Sequence, residues 1–152
     1  MGKRVIVVGG GIAGMQTALK LSAGGVSALL LERDADLGGK LTGWHKLFPS
    51  FTPAHEVLDE LRRRLAASDV EVRTRCEVAE VARDGVMLST GERLEADAVV
   101  VATGFTLFDA RIKEEYGYGI YDNVYTTVDI ERMLNEGRVA LKDGTAPRRI
   151  AF

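Results

Sequence analysis

The chain has 152 residues, 46% hydrophobic and 28% charged, ordinary globular proportions that suit one core and do not make disorder the default reading. Its net charge of −2 offers no general attraction to nucleic acid or anionic lipid. A single cysteine, Cys76, excludes an internal disulfide framework and a metal cluster held by cysteines of this chain alone.

The first element predicted is a strand over Val5 to Val8, a β-branched run that stops at three glycines. Ile12, Met15, Ala18, Leu19 and Leu21 then recur at helical spacing, and Gly24-Gly25 closes that helix. Ser27 to Leu31 is a second apolar strand, continuous rather than alternating, as in a parallel sheet covered on both faces. Thr52-Pro53 reads as an N-cap and first helical residue, followed by the apolar stripe Ala54, Val57, Leu58, Leu61 and Leu65. In that helix Arg62-Arg63-Arg64 reads as a solvated face.

From Val70 short strands take over: Val70 to Thr74, Val78 to Ala82 and Val86 to Ser89, the last two joined at Asp84-Gly85. Together they predict a small inserted β-layer over residues 70–95. Ala98 to Ala102 is again wholly apolar and returns to the central sheet. Beyond it come a tyrosine-glycine loop, Tyr116-Gly117-Tyr118-Gly119, and a helix from about Thr127 to Asn135 closed by Gly137. Arg148 to Phe152 reads as a strand beginning. The fold expected is α/β, a Rossmann-like FAD/NAD(P)-binding domain over residues 1–152 with a parallel central sheet, helices and the small β-layer.

The chemistry concentrates in Gly9-Gly10-Gly11-Ile12-Ala13-Gly14, a G-x-G-x-x-G motif that follows a strand and opens a helix. Gly9 permits the turn, Gly11 lets the backbone approach a pyrophosphate, and Gly14 lets helix and strand pack closely. Ile12 and Ala13 lie in the first turn, whose free N–H groups and dipole face the phosphates. Glu32 ends the second strand, 23 residues after Gly9. A carboxylate there accepts ribose hydroxyls and repels a 2′-phosphate, which disfavours NADP. Gly38-Gly39 makes a second small-residue turn, as a long dinucleotide such as FAD requires, and Arg33 and Lys40 are open as cations for its phosphate or ribityl side or as solvated residues.

These motifs, with Val99-Val100-Val101-Ala102-Thr103-Gly104, resemble the two-dinucleotide-binding-domain flavoproteins, the superfamily of thioredoxin and glutathione reductases. That resemblance implies that Ala102, Thr103 and Gly104 close over the flavin nucleotide and that the backbone near Val78 bonds the adenine. Glu114-Glu115-Tyr116-Gly117-Tyr118-Gly119, Asn123-Val124-Tyr125-Thr126-Thr127 and Asp143-Gly144 leading to Pro147-Arg148-Arg149 are similar to the FAD-binding subunit of heterodisulfide reductase and its relatives. The narrower resemblance implies the N-terminal portion of a longer flavoprotein, an oxidoreductase subunit passing electrons between FAD and iron–sulfur or thiol/disulfide partners. Where that family often carries cluster cysteines, this chain reads Phe48-Pro49-Ser50-Phe51-Thr52-Pro53-Ala54-His55, so no metal is expected.

Two other readings stay open: an NAD-binding Rossmann domain using the same loop, and a non-catalytic assembly module of an electron-transfer complex. His45 and His55 are open as proton donors or as surface residues, Trp44 and Phe48 as ring shields or as packing, and the tyrosine-glycine loop as a docking surface or a cover. Cys76 lacks a second cysteine to resolve it. No side chain is assigned to catalysis. The start of the chain carries no leader and no stretch long enough to span a bilayer, which sets the expectation of a cytoplasmic protein with a homo-oligomer left open.

Overall fold

The structure, a computed structural model, describes residues 2–152. In chain order its strands and α-helices are β1 (Arg4–Val8), α1 (Ile12–Ala23), β2 (Ser27–Leu31), β3 (Lys46–Leu47), β4 (Thr52–Pro53), α2 (Ala54–Ala66), β5 (Glu71–Arg73), β6 (Val78–Ala82), β7 (Gly85–Leu88), β8 (Arg93–Glu95), β9 (Ala98–Val101) and α3 (Thr127–Asn135). They fall into two units: residues 1–42 with 55–105, and residues 43–54 with 106–152.

The first unit is the expected Rossmann-like fold. Four parallel strands lie in the order β5-β2-β1-β9, and β6-β7-β8 form a separate antiparallel sheet. Alternate residues of the central strands, Ile6, Val8, Leu29 and Leu31, face Val86, Leu88 and Leu94 of the small sheet in one buried cluster. The intervening residues Val5, Val7, Ala28 and Leu30 are buried as well, as are Met15, Ala18 and Leu19 of α1. Both sheet faces are therefore covered, which is why β1 and β2 read as unbroken apolar runs. Helix α1 stops where predicted: the Gly24 N–H turns back to the carbonyls of Lys20 and Leu21, and Gly25 takes φ +76°.

Three local readings are corrected. The segment expected to open the β-layer at Val70 instead supplies β5, which pairs in parallel with β2 (Leu30 with Val72), so the layer starts at Val78 and includes a third strand, Arg93–Glu95. Its alternation resembles that of the layer strands because β5 is a sheet edge, and edge strands are only half covered. Thr52-Pro53 does not cap α2. Those residues pair with Lys46-Leu47, the Thr52 hydroxyl bonds Ser50 at 2.7 Å, and the helix begins at Ala54. Residues 148–152 form no strand, since no partner edge meets them among the described residues.

In the second unit, α3 matches its predicted bounds and starts with a reciprocal capping box. The Asp129 N–H donates to the Thr126 hydroxyl oxygen at 3.3 Å, and the Thr126 N–H donates to the Asp129 carboxylate at 2.9 Å. Burial pushes the Asp129 carboxyl up, but hydrogen bonds from Thr126 and Tyr118 and the charge of Arg132 outweigh it and hold the group below the ordinary carboxylate value. A depressed folded value contributes stability that is present above the unfolded value, about 3.9, and is lost as pH falls through the folded one. Asp129→Ala should lower the stability of this unit by about 1 kcal/mol at neutral pH and flatten its acid limb, read by unfolding monitored at several pH values. In the first unit Leu61 is 1% exposed. Leu61→Ala should cost about 2–5 kcal/mol in denaturant unfolding, whereas Val81→Ala, at a half-exposed position, should change stability by less than about 0.5 kcal/mol.

Candidate functional site

The glycine loop sits at the carboxyl ends of β1 and β9, where the strand order reverses, the position at which open parallel sheets bind ligands. Its glycines divide into those the protein itself requires and one it does not. A Cβ on Gly14 would stand 1.8 Å from the Gly9 carbonyl oxygen, and one on Gly9, already at φ +109°, would stand 2.4 Å from the Ala102 carbonyl oxygen. A Cβ on Gly10 would meet Leu37 at 2.5 Å and the Glu32 carboxylate at 2.8 Å. Gly11 is different. Its φ of −73° suits any residue, and nothing lies within 4 Å of where its Cβ would be. A side chain at Gly11 would thus meet none of the protein's own atoms, and its absence leaves an open approach to the first turn of α1, which no side chain caps and which carries no acidic residue. That is the cradle an anion such as a pyrophosphate fits.

Glu32 is the buried charged residue of the core, 6% exposed. One carboxylate oxygen accepts the Gly10 N–H at 2.5 Å and the other the Asp34 N–H at 2.9 Å. The side chain read as a ribose acceptor therefore also staples the phosphate loop to the end of β2, a role that motif spacing alone does not show. Each oxygen keeps a further lone pair for a hydroxyl donor.

The second glycine turn folds back onto the first. The Gly38 N–H donates to the Gly10 carbonyl at 2.8 Å, Gly11 and Gly38 form a parallel bridge, and a Cβ on Gly39 would lie 3.3 Å from the Gly11 Cα. Gly38 is buried at φ +132°, with Leu58 of α2 filling the space a side chain would take. Arg62 departs from the solvated face expected of it: its guanidinium donates to the Leu37 carbonyl, tying α2 to this turn. No spacing rule distinguishes it from Arg63 and Arg64.

The remaining candidates sit as follows. Ile12 and Ala13 are exposed in the first turn of α1. Ala102 bonds the Val8 carbonyl at 2.8 Å, Thr103 is exposed and Gly104 takes φ +73°. The Lys40 ammonium stands 4.9 Å above the Phe105 ring. Arg33 points to solvent beside Asp34. Val78 opens β6 two residues after Cys76, whose N–H donates to the Glu32 carbonyl at 2.8 Å, so the chain entering β6 is tied to the end of β2. His55 is exposed on α2, whereas His45 lies in the second unit, its N–H donating to Glu131 at 2.6 Å and its ring within 3.2 Å of the Asn135 oxygen. Among the described residues no cluster of three His, Cys, Asp or Glu is placed to hold a metal, and no helix is long and apolar enough to cross a membrane.

An NAD(P)-binding Rossmann-like domain family matches residues 7–60, and the flavin containing amine oxidoreductase family matches residues 48–113. The chain is 52% identical over 66 residues to a CoB–CoM heterodisulfide reductase iron-sulfur subunit of Methanopyrus kandleri and 42% identical over 66 residues to the corresponding subunit of Methanocaldococcus jannaschii. Each alignment covers 40% of this chain and 10% of the relative, so the chain spans about a tenth of the length of these curated relatives. Thioredoxin reductase of Lactococcus lactis superposes with a TM-score of 0.61 at 22% identity, covering 76% of this chain and 41% of that one, which shows the fold.

Fold and glycine turns together define a Rossmann-like dinucleotide-binding domain, matched in part by an NAD(P)-binding family and in part by a flavin-containing one. Over 40% of its length the chain is similar to the iron-sulfur subunits of heterodisulfide reductases.

The division among the glycines has a direct test. Gly14→Ala should destabilise the first unit by about 1–3 kcal/mol or more, because its Cβ overlaps the Gly9 carbonyl. Gly11→Ala should unfold at the wild-type denaturant midpoint. Equilibrium unfolding without added nucleotide checks both.

Proposed function

We propose that this chain is the FAD-holding segment of an oxidoreductase subunit whose bound flavin exchanges electrons with iron–sulfur or thiol/disulfide partners. The observation that carries the reading is the open backbone at Gly11, braced by Gly39, beside an uncapped helix start. A glycine that its own protein does not need is explained by a group approaching from outside.

In this reading Gly11, Ile12 and Ala13 present their N–H groups to the pyrophosphate, with Gly9 and Gly14 keeping the turn tight enough to do so. Glu32 accepts the adenosine ribose hydroxyls while holding Gly10 in place. Val78 offers its backbone to the adenine. Gly38, Gly39, Ala102, Thr103 and Gly104 provide small-residue surface along the extended cofactor, and Lys40 and Arg33 supply positive charge on that side. FAD, when bound, supplies the two-electron and one-electron chemistry. The chain's own contribution is binding and orientation, and no side chain of the site is assigned a proton-transfer role.

The likeness to proteins named iron-sulfur subunits of a heterodisulfide reductase supports electron exchange with an iron–sulfur or disulfide centre. A second reading, NAD at the same loop, is favoured by the NAD(P)-binding family match over residues 7–60. Glu32 opposes the NADP version of it, because a carboxylate repels a 2′-phosphate.

Purified protein incubated with FAD and desalted should retain flavin absorption between about 350 and 500 nm, a property of the cofactor itself. Gly11→Val should lose that absorption while keeping the wild-type unfolding midpoint. Glu32→Gln should weaken FAD by about tenfold or more, the loss expected of one charge-assisted hydrogen bond. Tighter binding of NADH than of FAD would move the assignment to the second reading.

A further inference from the structure

The second unit contains a cavity of about 340 Å³ that no part of the dinucleotide reading uses. Its wall is the tyrosine-glycine loop, and its rim carries three cations, Arg111, Arg132 and Lys142, against two carboxylates, Asp122 and Asp129. The loop is shaped for this. Gly117 is buried in the left-handed region at φ +72°, and a Cβ there would stand 2.3 Å from the Tyr121 ring, so the glycine lets that ring fold against the backbone. The Asn123 side chain, at φ +64°, accepts the Lys142 N–H at 2.7 Å and fixes the far wall.

The two carboxylates differ. Asp129 is 15% exposed and is occupied by Thr126 of the capping box, with Arg132 at 3.2 Å. Asp122 is 65% exposed and holds only Lys142, 2.5 Å away. Arg111 lies 5.7 Å from the Tyr118 ring centroid, and its acidic neighbour Asp109 is 3.5 Å away at an exposed position. The Arg111–Asp109 and Lys142–Asp122 pairs, open to water, contribute little, so a better anion displaces them at small cost, while Arg132, 65% exposed, reaches the cavity from beside Asp129. A cation above a tyrosine face also favours a ring in the same stack.

We infer that this cavity is a binding site for a small planar aromatic anion, its ring against Tyr118 and Tyr121 and its phosphate or carboxylate held by Arg111, Arg132 and Lys142. The volume lies at the lower end of the range for small-molecule pockets, about 300–1,000 Å³, and admits a single substituted ring. The site shares no residue with the glycine loop and does not depend on the FAD reading.

The test titrates phenyl phosphate into the isotopically labelled full chain and follows backbone amide shifts. Inorganic phosphate supplies the charge without the ring, phenol the ring without the charge, and benzoate the carboxylate in place of the phosphate. Phenyl phosphate or benzoate should shift the amides of residues 118–125 and Arg132, with affinity about tenfold above that for inorganic phosphate or phenol. Arg132→Gln and Lys142→Gln, both at exposed positions, should each weaken it by about fivefold or more with the fold intact, and Gly11→Ala should leave it unchanged. The proposal is overturned if neither aromatic anion shifts these amides, if inorganic phosphate binds as well, if both rim variants bind like wild type, or if the shifts appear at the glycine loop instead.

Discussion

Everything in the first unit hangs on how closely β1, α1 and the end of β9 approach one another. At Gly14 and Gly9 the space for a side chain is already taken by carbonyl oxygens, at 1.8 and 2.4 Å from the missing Cβ atoms. That closeness brings the start of α1 over the sheet's carboxyl edge, lets the Gly38 N–H reach the Gly10 carbonyl, and leaves Glu32 within 2.5 Å of the Gly10 N–H. The buried carboxylate stays compatible with an apolar core because backbone N–H groups donate to both of its oxygens. The second glycine turn and the β9 terminus then flank the glycine loop, and Arg62 ties that turn to α2.

The proposed function rests on what that packing leaves vacant. The protein fills the space beside Gly9, Gly10, Gly14 and Gly38 with its own atoms and leaves the space beside Gly11 empty. A dinucleotide's pyrophosphate is a group whose charge and size match an uncapped helix start, and the two family matches, which overlap at residues 48–60, join a Rossmann-like dinucleotide family to a flavin-containing one.

The parallel sheet was legible from residues alone because β1 and β2, covered on both faces, cannot alternate, and Val5 to Val8 and Ser27 to Leu31 do not. Ala98 to Ala102 reads the same way although Ala98 and Val101 of the edge strand β9 are exposed. The G-x-G-x-x-G turn and Glu32 were legible because their spacing is set by strand and helix lengths. What stayed hidden depends on tertiary neighbours. Glu71–Arg73 looks like a layer strand until β2 is seen beside it, and Thr52 looks like a cap until Lys46 and Leu47 pair with its segment. Gly10 passes for a variable position of the motif, although Leu37 and Glu32 forbid a side chain there. Arg62 differs from its neighbours only in which carbonyl it reaches. The separation of residues 43–54 from the sheet they follow in sequence had no local signal either, since His45 is tied to Glu131 and Asn135, far along the chain.

The central claim, that the gap at Gly11 exists for a dinucleotide, is tested most directly by residue-resolved amide shifts as FAD is added to the labelled chain. The account predicts that the largest changes fall on Gly10, Gly11, Ile12, Ala13, Gly39 and Thr103, with the interior of the small sheet around Val86 unmoved. Saturable FAD binding that leaves Gly11, Ile12 and Ala13 unshifted would contradict it.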